Sequence, residues 1–106
     1  MANKPGALER AFTEELLKNI GAAAPVCRQE RLRADVEKYG GASCAHELLR
    51  RNRRSEGFGA LADAGKLALS LEALAAEGKY GELFTDDEVN ECFAALCAEG
   101  YYRFTE

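Results

Sequence analysis

Glycine punctuates this chain so often that no helix in it can be long. Gly21, the pair Gly40 and Gly41, Gly65, Gly78 and Gly100 each close an apolar-periodic stretch, and a residue that enters the left-handed cap conformation without steric cost is a helix stop. The stretches between these stops hold 12 to 23 residues, at most roughly three to six helical turns each. A strand alternative exists only where Leu67, Leu69 and Leu71 alternate, and one isolated strand has nothing to pair with. The expected fold is therefore all-α, a compact irregular bundle of five or six short helices instead of a long regular one. At 106 residues, 47% hydrophobic and 30% charged, the chain is globular in composition and can close one core, so residues 1–106 are read as a single helical domain.

The spacing of apolar residues places the elements. Leu8, Phe12, Leu16 and Ile20 recur every four residues and predict a first helix that Pro5 opens and Gly21 closes. Pro25 suits the first turn of a second helix with Leu32, Val36 and Tyr39 on one face, stopped by Gly40 and Gly41. A third, Ala42 to Arg50, offers Ala45, Leu48 and Leu49 to the core. Ser55 is read as the N-cap of a helix carrying Phe58, Leu61 and Ala62, and Ser70 as the cap of another over Leu71 to Glu77. Tyr80, Leu83 and Phe84 are too large for a loop surface and are expected to plug the core. Thr85 and Glu88 form a capping box, the clearest local signal in the chain, opening a helix with Val89, Cys92, Phe93, Leu96 and Cys97 on one side. The aromatic tail from Tyr101 to Phe104 is expected to dock on the body.

No stretch approaches the roughly 18 apolar residues of a membrane span, and Met1 to Gly6 lacks a basic region followed by an apolar one. A cytoplasmic setting without membrane contact is expected, with Cys27, Cys44, Cys92 and Cys97 as free thiols serving as small core residues. Catalysis has little to work with. His46 is the sole histidine, Cys44 two positions away on a helix points about 200° from it, and no phosphate loop, nucleophile elbow or HExxH helix is present. The reading is a non-enzymatic protein with no cofactor. Cys44, His46, Cys92 and Cys97 number enough ligands for a zinc-stabilised domain, but Cys92 and Cys97, five apart on a helix, point about 140° from each other.

Charge is the informative feature. A net charge of -4 conceals residues 1–54 with 11 Lys/Arg against 7 Asp/Glu, and residues 55–106 with 3 against 11. Such polarity speaks of partners or of self-association, including a dimer in which the two halves face each other. Arg50, Arg51, Arg53 and Arg54 gather at a helix end, with Arg28, Arg31 and Arg33 able to join them if the second and third helices pack antiparallel. Guanidinium groups suit carboxylate or phosphate. Nucleic-acid binding through Arg50 to Arg54 is one alternative, opposed by a pI of ≈ 5.1 and the acidic second half. The acids Glu72, Glu77, Glu82, Asp86, Asp87 and Glu91 form the other contact surface, able to imitate nucleic acid in a basic channel. Capping alone accounts for Asp86, Asp87 and Glu88 in a first helical turn.

Lys38-Tyr39-Gly40-Gly41, Glu47-Leu48-Leu49, Ser55-Glu56-Gly57-Phe58, the string LALSLEAL from Leu67 to Leu74, Leu83-Phe84-Thr85 and Gly100-Tyr101-Tyr102 together resemble a group of short uncharacterised bacterial, phage and mobile-element proteins. That resemblance covers about three-quarters of the chain and implies a setting: small acidic proteins of mobile elements are often stoichiometric inhibitors of host defence nucleases, such as anti-CRISPR proteins. The expectation is an interaction protein that covers a charged surface of a larger protein partner, a defence nuclease in that setting.

Overall fold

The computed structural model describes residues 5–51 and 53–100. Among them are six α-helices and no strand: α1 (Pro5–Ala23), α2 (Glu30–Tyr39), α3 (Gly41–Arg50), α4 (Phe58–Asp63), α5 (Leu71–Ala75) and α6 (Asp86–Ala98). Two 3-10 turns, Leu67–Leu69 and Gly78–Leu83, complete the chain path. The radius of gyration, 13.2 Å, matches the ~13 Å of a compact single domain of this length. No helix of the described residues is long and apolar enough to cross a membrane. The tail from Tyr101 onward, expected to dock, lies outside the described residues.

The longest helix, α1, is the strut on which α2, α3, α5 and both 3-10 turns pack. Its four-residue stripe of Phe12, Leu16 and Ile20 is buried, as the spacing predicts. The helix runs past Gly21, because Ala23 at its end is fully buried and seeds a second apolar cluster with Phe58, Leu61, Leu67, Ala73, Ala95 and Leu96. The larger cluster joins α1 to Leu32, Val36, Leu49, Leu71, Leu74 and Cys92. Tyr80 and Phe84 plug it as expected, each edge-on to Phe12 at 5.1 and 5.3 Å between ring centroids. The Tyr80 hydroxyl donates to Glu15 Oε1 at 2.6 Å. Burial, then that carboxylate, push its pKa up to about 12.

At the α2–α3 elbow Gly40 has φ +92°, and Gly41 lies so close to α1 that a Cβ there would sit 3.0 Å from the Phe12 ring and 3.2 Å from Thr13 Cα. The Gly41 amide donates to Thr13 Oγ1 at 2.8 Å, fixing the start of α3 on the middle of α1. Replacing Gly41→Ala forces that contact apart and should lower unfolding free energy by roughly 1–3 kcal/mol in urea titration.

Two sequence expectations fail for one reason. α2 starts at Glu30, five residues after Pro25, and Ser55 does not cap α4, whose N-cap is Gly57 in the left-handed region without a side-chain bond. Ser55 is buried and engaged elsewhere: its amide donates to Glu72 Oε2 and its hydroxyl to Glu72 Oε1, both at 2.7 Å. The next residue, Glu56, accepts from the Leu32 amide in the first turn of α2 at 2.8 Å, and its carbonyl accepts from Gln29 Nε2 at 2.7 Å. α2 is thus capped by a side chain 24 positions away.

Glu72 is 1% exposed, in a helix buried on every side. It therefore cannot be the partner contact its charge suggests. Desolvation, outweighing the Ser55 bonds, raises its carboxyl above the usual 4.5. The folded state holds that proton to a higher pH than the unfolded chain, so stability is lost as pH rises from 4.5 through the folded value. Glu72→Gln should remove this pH dependence and equal or exceed wild type at pH 7. Glu72→Ala orphans the Ser55 amide and should cost roughly 1–3 kcal/mol, both read by urea unfolding at pH 4.5 and 7.

Candidate functional site

α6 opens on the capping box read from sequence, with the Thr85 amide donating to Glu88 Oε1 at 2.9 Å and the Glu88 amide to Thr85 Oγ1 at 3.1 Å. The other oxygen of Glu88 does a second job: Oε2 meets His46 Nδ1 of α3 at 2.6 Å, while the imidazole tilts over Phe84 at 5.1 Å. This pair bridges the mouth of a cleft of about 630 Å³ between α3 and α6, lined by Ser43, His46, Glu47, Leu49, Arg50, Asp87, Glu88 and Glu91. Positions 43, 46, 47 and 50 share one face of α3, and 87, 88 and 91 one face of α6, which is why residues so distant in sequence meet.

The basic run does not stand free beside this cleft. Arg50 and Arg51 both turn back on Glu47, the latter at 2.7 Å, and the Arg50 bond, then the charge of both, hold the Glu47 carboxyl below its usual range. Arg54 Nη1 reaches Glu91 Oε2 at 3.2 Å. Of the four arginines, Arg53 alone is exposed with no ion pair among the described residues, and Asn52 lies outside them. Nor do Arg28, Arg31 and Arg33 join the run. Arg31 lines a groove between α2 and α3, whereas Arg28 and Arg33 border a separate depression against Ile20 of α1 and Ala24 just past its end. Two positions apart on a helix, Arg31 and Arg33 diverge by about 200°.

The acids divide likewise. Glu72 is buried, Glu77 lies 3.6 Å from Lys79, and Glu91 is taken by Arg54. Glu82, Asp86 and Asp87 are exposed and carry no ion pair among the described residues. Arg54–Glu91 also means that part of the charge division between the two halves is satisfied inside one chain.

The α2–α3 groove, about 430 Å³, is the feature sequence reasoning missed. Leu32, Cys44 and Leu48 give it apolar surface, and Tyr39, 59% exposed, stands at its lip. Tyr39 was expected on the buried face with Leu32 and Val36, but it follows Val36 by only three residues at the last turn of α2, where Gly40 turns the chain away.

The four candidate zinc ligands do not gather. Cys92 is fully buried while Cys97 is exposed, and among the described residues no group of three or more His, Cys, Asp or Glu is placed to hold a metal ion. All four cysteines are free, but only Cys44 and Cys92 are buried; Cys27 is half-buried. The α6 core face is Cys92, Ala95 and Leu96, and Phe93 is 38% exposed, so the face is rotated from the one expected. Burial, with Asp35 adding, raises the Cys44 thiol, and burial with Glu72, Glu91 and Glu88 pushes Cys92 up to about 12. Neither supplies a thiolate nucleophile near neutral pH. In DTNB titration of the native protein at pH 8, Cys97 should react first and Cys27 more slowly, with Cys44 and Cys92 reacting only on denaturation; peptide mapping of the labelled thiols checks this.

Comparison of the chain with protein-family models, with curated proteins and with solved structures finds no match.

Proposed function

We propose that this chain is a non-enzymatic interaction protein that covers a basic surface on a larger partner, with Glu82, Asp86 and Asp87 making the first contact. One observation carries this reading: the arginine run is largely neutralised by Glu47 and Glu91, while these three carboxylates stay exposed and unpaired. Between the arginine run and this acidic patch, the charge left to attract a macromolecule is mainly negative. A basic channel that normally receives nucleic acid has the matching chemistry, and the resemblance to mobile-element proteins suggests an inhibitor of a host defence nuclease, acting in the cytoplasm. Nucleic-acid binding through Arg50 to Arg54 has less support, since Arg53 alone keeps its guanidinium free for phosphate.

The test is a pull-down from host lysate with three baits. Glu82→Lys with Asp87→Lys should lose the captured partner, while Arg50→Glu with Arg53→Glu should retain it, and capture by wild type should weaken as salt rises past physiological strength. Retention by the acid-reversed bait, with its helicity intact by circular dichroism, overturns the reading. A gel shift with duplex DNA at low salt should show no retardation; retardation abolished by the Arg50/Arg53 pair would favour the nucleic-acid alternative.

A further inference from the structure

Ser43 and Glu47 line both the α2–α3 groove and the α3–α6 cleft, so α3 is a ridge with a depression on either flank. The flanks differ in chemistry. The groove is apolar, with Leu32, Cys44 and Leu48 below and Tyr39 at the lip, and tyrosine is a residue that combines large contact area with a polar end suited to interfaces. Across the ridge, the four carboxylates of Glu47, Asp87, Glu88 and Glu91 outnumber the arginines that pair with them, Arg50, Arg51 and Arg54, and Asp87 carries no ion pair among the described residues. A segment lying over α3 would meet apolar surface on one side and excess carboxylate on the other within one helix diameter, roughly 10–12 Å.

We propose that this ridge and its two flanks seat an amphipathic helical segment of a partner protein, its apolar side chains in the α2–α3 groove and its lysines or arginines over the α3–α6 cleft. Charge complementarity selects this occupant. An acidic helix or a nucleic acid would meet like charge in the cleft, and among its described residues a second copy of this chain offers no such segment: its basic helix, α2, already buries Leu32 and Val36 in its own core. The ten residues of α3 span about 15 Å, which matches about three turns of a docked helix with anchors near i, i+4 and i+7. The inference rests on the proposed basic partner and adds where that partner sits and what else it must carry.

Three labelled 14-residue peptides test it by fluorescence anisotropy and by amide chemical shifts: a leucine/lysine amphipathic helix, a serine/lysine peptide of the same charge, and a leucine/glutamate helix. The leucine/lysine peptide should bind at least tenfold more tightly than the serine/lysine peptide, and the leucine/glutamate helix should not bind. Shifts should centre on Arg31, Tyr39, Ser43 and Leu48. Tyr39→Ser and Ser43→Lys, both at exposed positions, should each weaken the leucine/lysine peptide at least fivefold with the fold unchanged by circular dichroism. Equal affinity for the two lysine peptides, unaltered affinity in both variants, or shifts centred elsewhere overturns the docking inference while the acidic-surface reading stands. Failure of every lysine peptide to bind sinks both.

Discussion

The carboxylate of Glu72 pins the segment from which Glu56 reaches back to α2. It sits in a five-residue helix with no solvent-facing side and grips both the amide and the hydroxyl of Ser55, in the segment that follows the arginine run. Once Ser55 is held, Glu56 reaches the unsatisfied first turn of α2, and its carbonyl takes the Gln29 amide. Gly57 follows with φ +80°, where an L side chain is strained, and a Cβ there would sit 2.7 Å from Cys27 Sγ and force that side chain to shift. One buried acid therefore sets where α2 begins, and with it one wall of the groove. A buried carboxylate with unsatisfied neighbours would be destabilising; paired to two donors, it gives the loop one conformation instead of many.

Local chemistry was legible in the sequence. The Thr85–Glu88 box and the Ser70 cap need only residues within one turn, and both are present. The four-residue stripe of α1 and the reversal at Gly40 were equally readable. What escaped is non-local. Ser55 has the composition of a cap but is bound by a residue 17 positions away, and the true cap of α2 comes from Glu56, which no local pattern marks. Glu72 looks like surface because glutamate usually is, and five residues are too few for periodicity to reveal a helix enclosed all round. Along α6, Ala95 is buried and Phe93 is not, because close packing against α5 favours a small side chain where size alone would have placed the ring.

The candidate surface was half legible. Composition announced the charge division, and every arginine and acid of interest could be named. Which of them remain available depends on three-dimensional pairing: Glu47 and Glu91 cancel arginines that the linear run presents as a block, and burial removes Glu72 altogether. The sequence thus overstates both poles, and the basic one more.

Glu88 divides its two oxygens between the cap of its own helix and the histidine of another. Spreading α3 away from α6 would strip the acid from His46 or pull it from the Thr85 amide, fraying the first turn of α6 as it went. One side chain thus ties the spacing of those two helices to the cap of α6. On the proposed reading, a partner's side chains would enter a space whose width the chain itself holds.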